Sequence, residues 1–168
     1  MGTILRDAFE HHAWATLNVI DACAELPPET LQENVVGTYG SIGATLRHLI
    51  ESDSYYLDDF FGGWLARQHP TGTLRELREL AVAQAQAWAA LLDGELDGDE
   101  VIHEIDLENG YQRDATIGIR LAQALHHGND HRSQICTTLS ANGVTPPPVS
   151  VWEYGFVSGR ASEIVAGQ

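Results

Sequence analysis

Apolar residues recur at steps of three and four along separate stretches of this chain, a period that suits helices packed on helices. The first stretch reads Leu5, Ala8, His12, Ala15, Val19, Ala22 and Leu26, and Pro27-Pro28 stop it, so a helix is expected from about Thr3 to Glu25. The second places Ile42, Leu46, Leu49, Ile50, Tyr56, Leu57, Phe60 and Phe61 between a capping Ser41 and the pair Gly62-Gly63. Asp53 falls inside that apolar face, where an acid needs a partner. The third follows Pro70 and runs from about Leu74 to Leu92, with Leu77, Ala81, Ala85 and Trp88 along its seam. The fourth begins near Asp114 or Thr116 and stops at Asn142-Gly143, with Ile117, Leu121, Leu125, Gly128, Ile135 and Leu139 as its stripe.

Between the third and fourth stretches the period changes. Val101, His103, Ile105 and Leu107 alternate, and Glu108-Asn109-Gly110-Tyr111 carries the Asn-Gly signal of a tight hairpin turn. Beyond the last helix, Pro146-Pro147-Pro148 and Trp152-Glu153-Tyr154 predict an extended tail lying on the helices. The expected fold is all-α, a four-helix bundle with a short hairpin-like excursion between helices 3 and 4.

Charge narrows the partners. The chain has 24 acidic residues against nine basic ones and a net charge of −15, which repels phosphate backbones and acidic membranes. Neither nucleic acid nor membrane is expected as a partner. All nine basic residues are arginine, so no lysine offers a Schiff base or a general base. No run approaches the ~20 apolar residues of a membrane span, and no basic segment precedes a greasy one at the start, so a cytoplasmic protein is expected. Cys23 and Cys136 form no C-x-x-C pair and read as small buried hydrophobes.

The chemistry sits in the histidines. On helix 4, His127 and His131 lie one turn apart on one flank of the apolar stripe, whereas His126 points away from it. Arg120, Gln134 and Thr138 continue the row of the pair. Two such imidazoles read equally as chelators of one ion or as hydrogen-bonded, partly buried rings. A metallopeptidase needs Glu after the first histidine, and Gly128 is there; the paired Glu-x-x-His motifs of di-iron bundles are absent too. A third ligand must come from another helix. His48 shares a row with Ser41, Thr45, Ser52 and Tyr55 off the apolar face, so periodicity alone leaves it a surface residue, and His12 competes because its own stripe aims it inward.

Taken in order, these pieces resemble the DinB-like superfamily of metal-binding bundles, which includes the bacillithiol transferases and is similar to the mycothiol-dependent maleylpyruvate isomerases. Helix 1 carries His11-His12-Ala13-Trp14-Ala15, where that family often has an aromatic, an Asn and a Trp-Ala. Helix 2 reads Ser41-Ile42-Gly43-Ala44-Thr45-Leu46-Arg47-His48-Leu49, then Asp53 and Tyr56 where Glu and Trp are common. Helix 4 carries His127-x-x-x-His131-Arg132-x-Gln134, the most specific part, with Ser133 where Gly is common, followed by Gly143 and prolines. The resemblance spans nearly the whole chain. It implies a bundle over residues 1–160 with a short tail at 161–168, and a divalent metal, zinc or nickel, on His48, His127 and His131.

Three neutral imidazoles leave such an ion its charge and an open position. By resemblance a low-molecular-weight thiol bound there attacks an electrophile, which makes the chain a metal-dependent thiol S-transferase or isomerase. A hydrolase using bound water and a non-catalytic, stress-related metal-binding bundle are the alternatives. His12, at the family's Asn position, is the candidate catalytic residue: beside the pocket it would orient or deprotonate the incoming thiol or water. It reads equally as a core histidine bonded to a backbone carbonyl, and a fourth ligand is the remaining possibility. Asp53 and Arg132 are expected to support the ligands or pair helices. A homodimer is expected from the apolar coverage of helix 2 and from dimers among the relatives.

Overall fold

The long helices begin where a side chain can take up a first free amide. In a computed structural model describing residues 3–62, 72–106 and 110–163, α1 spans Thr3–Ala24, α2 Ile42–Phe61, α3 Leu74–Asp93 and α4 Ile117–Ala141. Ser41 accepts from the Ala44 amide ahead of α2, and Thr73 with Glu76 forms a capping box ahead of α3. Thr116 caps α4 through the Ile119 amide; Asp114, the other expected start, lies within the strand Tyr111–Thr116 that precedes the helix. Gly62 ends α2 at φ 68°, a left-handed turn that only glycine makes without steric cost, as its place in the sequence implied. Gly63 and Pro70, which also framed the expected boundaries, lie outside the described residues.

α1 packs chiefly on α3 and α2 on α4, while α1 also meets α4 and α2 meets α3, so the long helices close a ring. Inside it lie Phe9, Ile20, Leu46, Ile50, Leu57, Leu77, Trp88, Ile135 and Leu139, with the rings of Phe9 and Trp88 4.5 Å apart. Each such side chain, fully buried, contributes about 1.5–3 kcal/mol. The apolar residues of α2 that suggested a dimer are largely spent here: Ile42, Leu46, Leu49, Ile50 and Leu57 are buried within the chain, and Phe61 stays exposed.

Among the described residues the molecule is mostly helical with a small two-stranded sheet, and it has more than the four expected helices. A single 3-10 turn, Thr30–Gln32, precedes α2, and a fifth helix, α5, spans Val151–Val157 where an extended tail was expected. The physical reason for α5 is local: the Ser150 hydroxyl and the Glu153 carboxylate form a capping box. That Ser-x-x-Glu signature was legible beside the more conspicuous prolines. Tyr154 anchors α5 to α1 by donating its hydroxyl to Glu10 at 2.8 Å.

The hairpin forms as expected, β1 (Val101–Asp106) antiparallel to β2 (Tyr111–Thr116), with Asp106 opposite Tyr111. Gly110, at φ 72°, follows residues 107–109, which lie outside the described residues, as do 164–168 of the expected tail. The alternating apolar row is the outward one: Val101 and Ile105 are exposed, whereas Glu104 is buried. Among the described residues no helix is long and apolar enough to cross a membrane.

Candidate metal centre

α2 and α4 run side by side and bring His48, His127 and His131 together. The Nε2 of His127 lies 3.1 Å from that of His48 and 3.1 Å from that of His131. One nitrogen from each ring falls within 4.8 Å of the others, and this is the one such group of potential metal-ligating side chains among the described residues. The row that carries His48 looked like a surface row because it is polar. It is polar because it faces the polar flank of α4, and its neighbour Thr45 is buried. His126 is exposed, as the phase of α4 required.

Hydrogen bonds assign the protons. The Tyr39 amide donates to Gln134 Oε1 at 3.0 Å, so that side chain turns its oxygen inward. His131 Nδ1 lies 3.0 Å from the same oxygen and must be the protonated nitrogen, which leaves a lone pair on Nε2 facing the cluster. Tyr39 also stacks on His48, rings 4.1 Å apart and 11° from parallel. Nothing in the sequence singled out Tyr39, which sits in an aperiodic loop. Burial, and then the neighbouring His131 and His48, push the His127 ring down to about 4 against an opposing effect of Asp53. Burial and then His131 lower His48 as well. Both rings are therefore uncharged near neutral pH, as metal ligation requires.

Behind His127 lies a second layer. His12 Nε2 is 2.6 Å from Asp53 Oδ2, both residues being almost fully buried. The Arg132 guanidinium lies 3.2 Å from His12 Nδ1. Arginine has only donors, so Nδ1 accepts and Nε2–H donates to Asp53. Both ring nitrogens of His12 are thus engaged, and its partner is Asp53 rather than a backbone carbonyl. Arg132 also donates to Thr16 Oγ1 at 3.0 Å, tying α4 to α1. Burial lowers the Arg132 guanidinium to about 10, with Asp53 acting in the opposite sense. Gly128 makes room for this layer: a Cβ there would collide with the His12 ring, 2.7 Å from Nδ1.

Neither cysteine reaches the cluster. Burial pushes the Cys23 thiol up to about 12 and raises that of Cys136; Cys23 is the buried hydrophobe expected, whereas Cys136 is half-buried. What remains is a donor set of three imidazoles, one that can hold a divalent metal ion.

The sequence profile of the DinB family matches residues 1–160. Among characterised proteins, "Protein DinB" of Bacillus subtilis (strain 168) is 21% identical over 160 residues, covering 89% of this chain and 92% of its own. The chain belongs to the DinB family.

Proposed function

We propose that His48, His127 and His131 hold one divalent metal ion, zinc or nickel, and that the protein is a metal-dependent thiol S-transferase or isomerase. The observation that carries the metal is the meeting of nitrogens 3.1 Å apart, where at least His131 presents a lone pair. Lone pairs facing one another repel, and a cation between them removes the repulsion. Nitrogens on one tetrahedral ion stand roughly 3.3 Å apart for metal–nitrogen bonds of about 2.0–2.1 Å, close to the spacing present. An ion held by neutral imidazoles supplies an open position at which a small thiol is kept as thiolate.

The chain's own residues support a thiol brought from outside, since both cysteines are held protonated away from the cluster. A cavity of about 420 Å³ lies between α2, α4 and the hairpin, and Tyr56, whose ring is 5.7 Å from that of His127, separates it from the cluster. Tyr56, Ser52 and Gln123 wall it near the histidines, and Ala115 and Ile119 farther out. Its buried Glu104 pairs with the buried Arg120 and the exposed Arg113, so the cavity suits an electrophile of little net charge. His12, with both nitrogens engaged, takes the orienting role rather than that of a base.

Native purification followed by elemental analysis tests the metal: about one equivalent per chain is expected. A metal-free protein that also fails to take up zinc or nickel overturns the reading. A panel of low-molecular-weight thiols against electrophiles tests the reaction, and turnover without any thiol would assign the site to hydrolysis instead.

A further inference from the structure

Asp53 is paired with His12 through one oxygen, and its other oxygen has no partner. Oδ2 takes the Nε2–H of His12, whereas Oδ1 is buried and unpaired. On the facing helix, His127 Nδ1 is likewise buried and unpaired. A buried polar atom left in this state is costly, because it has given up water and gained no partner. No hydrogen bond joins the two atoms in the structure, yet they lie on facing helices that share this layer. The His127 ring lies over α2, 5.0 Å from His48 and 5.7 Å from Tyr56, and Asp53 sits on the turn between those residues. His12, which holds Asp53, rests against Gly128, the residue next to His127. The Asp53 charge is also felt at the His127 ring.

We propose that Asp53 accepts the Nδ1–H of His127 on Oδ1 and so points the His127 Nε2 lone pair at His48 and His131. As a statement about metal affinity this rests on the function proposed above; as a statement about a hydrogen bond it stands without the metal. Asp53 is a positioning residue, acting on the ion only through His127. A carboxylate behind a ligating histidine fixes its tautomer and raises its basicity. The rest of the layer serves the same end. Arg132 fixes the tautomer of His12, His12 fixes one oxygen of Asp53, and the other oxygen is left for His127. Gln134 does the equivalent work for His131. Trp88 Nε1–H is another buried unpaired donor, and it shares a small cavity with Asp53. A carboxylate oxygen has two lone pairs, so that donor does not displace His127.

The tautomer of His127 is the decisive readout, taken from long-range proton–nitrogen correlations on the metal-free protein. Wild type is expected to carry the proton on Nδ1. Asp53→Asn is expected to invert it. Arg132 keeps His12 as an Nε2–H donor, so the new amide must offer His12 its oxygen and His127 its NH2, which forces the His127 proton to Nε2. Zinc affinity, measured by competition with a chromophoric chelator, should then fall about 10- to 100-fold. His127 protonated on Nε2 in wild type overturns the proposal. So does an Asp53→Asn protein that folds and keeps both tautomer and affinity, which would reduce Asp53 to a partner for His12. Should Asp53→Asn not fold, the wild-type tautomer decides alone. A wild type that shows Nδ1–H and its inversion yet takes up no metal upholds the contact and overturns only the metal reading.

Discussion

Two polar clusters lie between α2 and α4, and they are built on opposite plans. Toward the hairpin, the Arg120 guanidinium donates to Asp59 and lies 3.2 Å from Glu104, which also receives the Tyr55 hydroxyl and sits 3.4 Å from Arg113. Donors there meet acceptors and positive charge meets negative. At the histidine end three nitrogens converge with no opposite charge among them, and burial has driven protons off the rings of His48 and His127. A buried polar group is tolerable when its partners are present. The hairpin cluster carries its partners in the chain and holds elements together. The histidine cluster offers nitrogen donors alone, a set that can hold a divalent metal ion.

The largest effects should separate these plans most sharply. His127→Ala or His131→Ala is expected to take metal content from about one equivalent to none, while His126→Ala leaves it intact. Elemental analysis after native purification reads all three, and equal losses would show that the phase of α4 is misread. Next in size is Arg120→Met. It takes from Glu104, buried with it at 6% exposure, its one buried cation and leaves it the Tyr55 hydroxyl and the half-exposed Arg113, so the loss should approach the lower end of the about 3–5 kcal/mol that breaking a buried ion pair costs. Urea unfolding in the presence of a chelator should show that loss with Arg120→Met and a change within about 1 kcal/mol with His48→Ala. The reverse order would make the histidines the structural cluster and the salt bridges dispensable.

Legibility in the sequence follows the same division. Helices with a strong apolar period and a capping residue could be read nearly to their ends, because both signals are local: Ser41 before α2 and Asn142-Gly143 after α4 are where the structure has them. α5 was missed though its cap is equally local, since its seven residues show little period. The hairpin was legible as a strand pair but its inward face was not. Nothing local to the strand says that Glu104 will meet Arg120, which lies sixteen positions away on another element. The pair His127 and His131 could be read from spacing, whereas His48 could not, since its row is polar for a tertiary reason. The expected neighbourhood of helices 2 and 4 nominated it, and the resemblance decided for it over His12. Asp53 and His12 were each legible as buried polar residues needing partners; that they are each other's partner is a property of how α1 lies on α2.

A smaller effect tests the layer that joins the histidine cluster to the core. Gly128→Ala gains about 1 kcal/mol of helix propensity. It also drives a methyl group into the His12 ring and to 2.9 Å from Arg132. Both neighbours are buried and hydrogen-bonded, so neither yields freely, and overpacking of this kind costs about 1–3 kcal/mol. A net loss of stability is expected, with metal still bound but held less tightly. A more stable Gly128→Ala would mean that the His12 layer can move aside, and that its tie to His127 is loose.

The smallest expected effect concerns the cysteines, and it bears on whether the open cluster is closed by the chain itself. Were Cys23 or Cys136 to supply a thiolate, the histidine end would resemble the hairpin end after all. A thiol reacts as thiolate, so a raised value moves its reactivity to higher pH. Cys23 is held up to about 12 and Cys136 is raised as well. Iodoacetamide should therefore label the native protein only slowly even at about pH 9, and label both residues quickly once urea unfolds it. The same sign gives a stability change: the folded state keeps Cys23 protonated, so stability present below about 9 is lost as the pH rises towards about 12. Cys136→Ala, at a half-buried position on α4, should leave metal content unchanged and thiol-dependent turnover within about twofold. Rapid labelling of Cys136 in the native protein, or loss of turnover with that substitution, would place a nucleophile of the chain's own at the cluster and end the need for a thiol from outside.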